Sequence, residues 1–255
     1  MDLGSHVGAF SLSVAVFGRK VVSVDPLIEN VQRLCKSIQK GGFTDRMTII
    51  FNPLGANHSL VNFKRIPDNL GGTSVVASST SSFTSPCDEP SDSYTITLDD
   101  ILPYLPFKKA VLKMDIQEFE YYVLHGAGSF FKEIEVSVIL MEWQLMKTDI
   151  SGENLVELLS SWKYSAYEPI IGGKKLDPTH FRSWPYDVLW KKAKLDQLVN
   201  QWKGIGFWTI NEGWFRSDIR SETRSDIRPA SQTSPPYCPR PRSGQGTHNV
   251  CTSAC

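Results

Sequence analysis

One stretch constrains this chain more than any other: Met1-Asp2-Leu3-Gly4-Ser5-His6-Val7-Gly8-Ala9-Phe10. It reads as the end of a strand, a glycine turn and the first turn of a helix. Gly4 permits a tight turn where a side chain would clash, and Gly8 lets the helix start close to what lies against the turn. Val7, Phe10, Val14 and Phe17 form an expected apolar helical stripe, stopped at Gly18. A short buried-type strand, Lys20 to Val24, then ends on Asp25, 21 positions after Gly4. A glycine turn at a helix N-terminus followed by an acid at the tip of the next strand is the logic of a nucleotide-binding α/β unit.

The glycine spacing selects among ligands. Dinucleotide turns carry G-x-G-x-x-G, whose close glycines let the backbone reach a pyrophosphate. Here Ser5, His6 and Val7 separate Gly4 from Gly8, giving D-x-G-x-x-x-G. That suits a ribose with an amino-acid tail, S-adenosylmethionine, over NAD. The plain alternative is a glycine turn that only joins a strand to a helix.

Further strands and helices extend the unit. Residues 27 to 40 read as a helix with Leu27, Val31, Leu34 and Ile38 on one face, and Met47 to Asn52 as a third strand. This order implies a parallel, doubly wound sheet. Residues 53 to 93 are rich in Ser, Thr, Asn, Gly and Pro, with β-like runs at 60–63 and 73–77 and an exposed insertion loop over about 78–93. Tyr94 to Leu98 reads as strand-like, running into Asp99-Asp100 at a helix start. Ala110 to Ile116 is a buried strand carrying Asp115, and a helix is expected from about Gln117 to Phe131 with Phe119, Tyr122, Val123, Ala127, Phe130 and Phe131 on its apolar face. Val136 to Trp143 is another buried strand, with Glu142 near its end. Ligands of open α/β sheets bind off the carboxyl ends of strands, so Asp25, Asp115 and Glu142 are expected to converge on one rim. A helix over 151–162, capped by Ser151, precedes two strands at 163–170 and 186–191. The polar connection between those strands, 172–185, holds His180, Arg182 and Trp184, and a short helix at about 193–202 ends the domain.

The expected division is a domain over 1–213 and a disordered tail over 214–255, where Arg216-Ser217-Asp218-Ile219-Arg220 recurs at 224–228 among prolines. The 27 basic and 27 acidic residues cancel, so no global field points to nucleic acid. No apolar run reaches a membrane span, and no signal peptide is visible. The chain reads as soluble, with its first strand cut short and any signal or anchor segment lost upstream, and the compartment stays unknown. Five cysteines without a C-x-x-C pair give neither a zinc nor a disulfide framework, and Cys35 reads as a small core residue. No residue is assigned to a metal.

Asp2 to Ser11 is similar to the first motif of the FkbM family of S-adenosylmethionine-dependent methyltransferases. Thr97-Leu98-Asp99-Asp100 resembles that family's T-L-D-D segment. Lys113 to Glu120 resembles its K-I-D-V-E-G-x-E signature, and Leu124-His125-Gly126-Ala127 the V-L-x-G-A that follows. Gln117 stands where the family usually has Glu, and Glu118 where it usually has Gly. The resemblance covers roughly residues 1 to 145, with a weaker fit to about 191. It implies a Rossmann-like class I methyltransferase fold, a seven-stranded sheet with one antiparallel strand near its C-terminal end, and O-methyl transfer to a hydroxyl or sugar-type acceptor.

Asp2, Gly4, Ser5, His6, Gly8, Asp25 and Asp115 are the expected cofactor-binding residues, and Asp115 and Glu120 the expected catalytic ones. Asp25 holds the ribose or caps the next helix. Asp115 is a general base or holds the donor's amino group. Glu120 contacts substrate or makes a structural salt bridge, and His125 faces solvent. The competing readings are an NAD-dependent α/β enzyme and an inactive remnant that serves as a binding module.

Overall fold

The computed structural model describes residues 1–66, 69–77, 93–193 and 252–253. In chain order the elements begin with β1 (Asp2–Leu3), α1 (Ala9–Val16), β2 (Val21–Val24), α2 (Ile28–Gly41) and β3 (Met47–Ile50). Then come β4 (Leu60–Ile66), β5 (Asn69–Ala77), β6 (Ser93–Tyr94), α3 (Leu98–Ile101) and β7 (Lys109–Met114). The rest are α4 (Glu120–His125), α5 (Phe130–Glu133), β8 (Glu135–Glu142), α6 (Ile150–Ser161), β9 (Tyr164–Tyr167), β10 (Asp187–Lys192) and β11 (Thr252–Ser253).

The main sheet has the order β11-β3-β2-β1-β7-β8-β10-β9. From β3 to β8 every neighbouring pair is parallel, while β10 is antiparallel to both β8 and β9. This is the expected Rossmann-like α/β arrangement with a reversed strand near its C-terminal end. An eighth strand, β11, adds antiparallel to β3 and falls within the stretch expected as tail. The rest of that tail, the loop over 78–92 and the helix over 194–202 lie outside the described residues. A separate antiparallel sheet, β5-β4-β6, contains both β-like runs.

Parallel strands covered on both faces are nearly continuous apolar runs, and all four residues of β2 are buried, three valines and Ser23. One apolar cluster joins α1 and α2 to β2 and β3 through Ala15, Val31, Leu34, Ile38, Val21 and Ile49. A larger one gathers α3 to α6 around β1, β7, β8 and β10, with Trp143 and Trp190 fully inside it.

Several local expectations give way to tertiary contacts. Helix α1 buries Ser11 and Ala15, and Phe17 at its end is 61% exposed. Ser11 Oγ donates to Asp2 Oδ2 at 2.6 Å and shares a hydrogen bond with Ser23 Oγ at 2.7 Å, so small polar residues draw the helix onto the sheet in place of the apolar stripe. The strand expected to run to Leu98 stops at Tyr94, because Thr97 becomes the N-cap of α3. Asp100 N donates to Thr97 Oγ1 at 3.3 Å and Thr97 N to Asp100 Oδ2 at 2.7 Å, a reciprocal capping box.

The single helix over 117–131 is two short ones. Gln117 and Glu118 have φ of 54° and 76°, which delays α4 to Glu120, and Tyr122 on it is 50% exposed. Gly126 ends α4, and a Cβ there would lie 2.4 Å from the Ala56 carbonyl oxygen. Asp99 then caps α5, accepting from Ser129 N at 3.0 Å and Phe130 N at 2.7 Å. Asp149, not Ser151, caps α6, accepting from Ser151 N at 2.9 Å. Cys35 is half-buried and disulfide-bonded, and every other cysteine lies outside the described residues. Trp184, read as part of a polar connection, is buried against Trp143 with ring centroids 5.0 Å apart. His125 faces solvent as expected.

Candidate active site

The order β2-β1-β7-β8 lines up four chain positions along one rim of the sheet. Asp25 follows β2, Gly4 follows β1, Asp115 follows β7, and Glu142 ends β8. Neighbouring strands lie ~4.8 Å apart, so the row spans about 14 Å. All three acids reach the same rim, as the sequence predicts.

The glycine turn is fixed from both sides. Gly4 N and Ser5 N both donate to the Val24 carbonyl, at 2.9 and 3.0 Å. Gly4 has φ +76°, and a Cβ on it would fall 1.8 Å from the Asp115 carbonyl oxygen. Only glycine fits between β1 and the end of β7. Gly8, with φ +87°, starts α1 where a Cβ would meet Leu34 Cδ1 at 2.2 Å. His6 is exposed above the turn, with φ 50° and its backbone N–H donating to Asp25 Oδ2 at 2.7 Å. The side of its ring turned to the protein is partly desolvated, and this, then Arg33 nearby, pushes the imidazole below the usual pKa.

Asp25 does more than either sequence reading supposed. It is 4% exposed, and Oδ1 accepts from Leu27 N at 2.9 Å and Asn30 Nδ2 at 3.1 Å. It therefore ties the glycine turn to the start of α2, and the remaining acceptor capacity of the carboxylate lies on Oδ2. Burial raises its pKa to about 6, against the three hydrogen bonds that favour the anion. A cavity opens beside it. Gly4, His6, Asp25, Asn30, Asp115 and Gln117 supply its polar wall, and Leu27, Leu54, Ile116 and Phe119 its apolar one.

Behind the cavity floor lies a charged cluster that the sequence reading assigned only in part. Lys113 pairs in register with Asp2 across β1 and β7. Its ammonium sits 3.5 Å from Asp2 Oδ1, 3.4 Å from Asp115 Oδ2 and 3.4 Å from the Gly4 carbonyl. Burial of Lys113 works against its charge, but the two carboxylates raise its pKa. Asp2 is 1% exposed and serves Ser11 and Lys113 beneath the turn, outside the cavity wall. Ser5 also lies beneath, its hydroxyl buried without a partner among the described residues. Lys113 was legible in principle, since strand alternation places it on the same face as Asp115.

Glu120 is 1% exposed and is not part of the cavity wall. Its Oε1 accepts from Ile116 N at 2.9 Å, closing the Ile116–Phe119 loop, and burial raises its pKa to about 7. It makes neither a substrate-facing surface nor an ion pair here. Gln117 Nε2 reaches both Asp115 Oδ1 at 3.0 Å and Glu142 Oε2 at 3.1 Å. Sequence reasoning noted Gln117 as a departure and missed its bridging role, along with Asn30 and Phe119 in the cavity wall.

Among the described residues no group of three or more His, Cys, Asp or Glu side chains could hold a metal ion. No helix among them is long and apolar enough to cross a membrane. The site thus offers an acid and amide wall and an apolar wall, and Gln117 ties the Asp115 end of that wall to Glu142, which stands just outside it.

None of the curated proteins matches the chain. The structure is similar to the crystal structure of a methyltransferase FkbM from Methylobacillus flagellatus KT, at 18% sequence identity and a TM-score of 0.46, covering 74% of this chain. This chain spans 42% of that protein's length. The methyltransferase FkbM domain matches residues 2–166, well over half of the sequence and the whole run from the glycine turn through β8 and α6. On that match the chain belongs to the FkbM methyltransferase family.

Proposed function

We propose that this domain transfers a methyl group from S-adenosylmethionine to a hydroxyl of a small-molecule or glycan acceptor. The observation that carries the reading is the Gly4 turn, pressed against Asp115 and tied through His6 N to Asp25. It supports a ligand with a ribose over β2 and an amino-acid tail over β1. The donor set fits such a group. The free acceptor capacity on Asp25 Oδ2 and the Asn30 Oδ1 atom, buried without a partner among the described residues, suit ribose hydroxyls. Leu27, Leu54 and Phe119 suit an adenine, and the Asp115 carboxylate, held ionised beside Lys113, suits the amino group.

When bound, the sulfonium donor supplies an already activated methyl group. What the protein adds is alignment and a place for the departing proton. The turn fixes the tail, Asp25 fixes the ribose, and the β7–β8 end of the row is left for the acceptor.

A thermal-shift titration with S-adenosylhomocysteine, with NAD as control, tests this. Ligand at 100 times its Kd stabilises by about 2.7 kcal/mol, which raises Tm by roughly 5–10 °C in a protein of this size. A saturable rise with S-adenosylhomocysteine alone is expected. A cooperative melt that neither ligand moves, or that NAD alone moves, overturns the reading.

A further inference from the structure

Asp115 and Glu142 stand on adjacent strands, yet their surroundings divide the work between them. Asp115 has a permanent cation: its Oδ2 lies 3.4 Å from Lys113 Nζ, and its Oδ1 accepts from Gln117. A carboxylate with an ammonium partner is a weak base. Glu142 has no cation partner among the described residues. It accepts from Gln117 Nε2 at 3.1 Å and from the Tyr186 hydroxyl, and it stands beside Asp115, whose negative charge disfavours its own. Gln117 uses one amide nitrogen to hold both acids and fix their spacing. Glu142 is also the acid farthest from Asp25 and Gly4 along the row, and it is joined through Gln117 to the cavity wall that it does not itself line.

We propose that Glu142 takes the proton of the acceptor hydroxyl, while Asp115, Gln117 and Tyr186 position it. The proposal rests on the methyl-transfer reading above. The acceptor O–H proton passes to a Glu142 carboxylate oxygen as the acceptor oxygen forms its bond to the methyl carbon. The C–S bond breaks, its electron pair returns to sulfur, and the proton later leaves Glu142 for water.

The electrostatic setting agrees with the geometry. Burial, and then Asp115 beside it, raise the Glu142 pKa to about 7, where a general base works best at neutral pH. Burial works against ionisation of Asp115 as well, but Lys113 holds it below the ordinary range. Glu120 behind the loop adds negative field at Glu142. Asp187 on β10 is itself pushed up by burial and by Asp115. Lys113 is the cation of the cluster.

Because the acceptor is unidentified, the test uses two donor analogues. Sinefungin carries an amine where the donor carries its S-methyl group, and S-adenosylhomocysteine carries nothing there. Their affinities are measured on the full chain against pH. In the wild type the preference for sinefungin rises by roughly tenfold as pH climbs from about 5.5 to about 8 and Glu142 ionises. Glu142→Gln abolishes the rise and keeps S-adenosylhomocysteine binding. Asp115→Asn weakens both analogues, because that carboxylate is assigned to the amino group they share, and the ratio between them keeps its rise with the midpoint moved to lower pH. Tyr186→Phe, at an exposed position that tolerates the change, moves the midpoint up by removing a hydrogen bond that favours the anion. A rise that survives Glu142→Gln, vanishes in Asp115→Asn, or ignores Tyr186→Phe overturns this proposal alone. No S-adenosylhomocysteine binding by the wild type overturns the methyl-transfer reading and this proposal with it.

Discussion

Replacing Gly4 by alanine tests whether the turn is demanded by a contact 111 positions away in sequence (115 − 4). Two effects add. An L-residue at φ +76° pays for a left-handed conformation, about 1 kcal/mol. The new Cβ also falls 1.8 Å from the Asp115 carbonyl oxygen, a backbone atom that no side-chain rotation can move aside. Relieving it means shifting β1 against β7, and such overpacking costs about 1–3 kcal/mol. Reduced freedom of the unfolded chain returns ~0.5 kcal/mol. The net loss is about 2.5 kcal/mol, a Tm lower by roughly 5–10 °C. Gly42→Ala is the matched control. Its φ is +68°, and nothing lies within 4 Å of its Cβ position. That variant bears the conformational term and the same unfolded-chain return, and it loses only about 0.5 kcal/mol. Both are measured by thermal and urea unfolding. Equal losses in the two variants refute the claim that the Asp115 carbonyl makes glycine obligatory.

Three further outcomes follow from the same cluster. Glu118→Gly relieves a φ of 76° and stabilises by about 0.5–1 kcal/mol in urea melts, whereas destabilisation shows that the Glu118 side chain outweighs the strain. Lys113→Met leaves Asp2 buried beside an uncompensated acid and destabilises by about 3 kcal/mol, and a loss below about 1 kcal/mol refutes the pairing. Glu120→Gln changes the pH dependence of stability. The folded pKa of about 7 lies above the unfolded value, so the native state binds the extra proton and wild-type stability falls as pH rises from about 4.5 to about 7. The variant lacks that fall, so its stability relative to wild type rises across this window, and parallel profiles refute the burial argument.

Much of the fold is legible because its signals are local. The D-x-G turn, the apolar β2 and the one-sided α2 read directly as strand, turn and helix, and Val31, Leu34 and Ile38 are buried as their spacing predicts. Asp99-Asp100 announces a helix start, although the strand expected before it covers Thr97, the residue that caps that helix. The failures are equally physical. Helical periodicity could not foresee the left-handed residues Gln117 and Glu118, because side-chain pattern carries little information on backbone sign for non-glycine residues. Nor could it rank Ser11 above Phe17 for the buried face of α1, because Ser11 is chosen by Asp2 and Ser23 on two neighbouring strands.

The sequence by itself determined the strand–glycine–helix–strand–acid unit, the parallel class of sheet and the placement of Asp25, Asp115 and Glu142 at strand ends, since each follows from spacing within one segment. Tertiary structure alone decided what those groups do. Placing β1 between β2 and β7 presses Gly4 onto Asp115, sets Lys113 opposite Asp2, and sends Asp25 to both the turn and α2. Placing β8 beside β7 and β10 gives Glu142 an anion and two neutral donors and no cation among the described residues. Charge and basicity depend on which groups become neighbours, and strand order sets that.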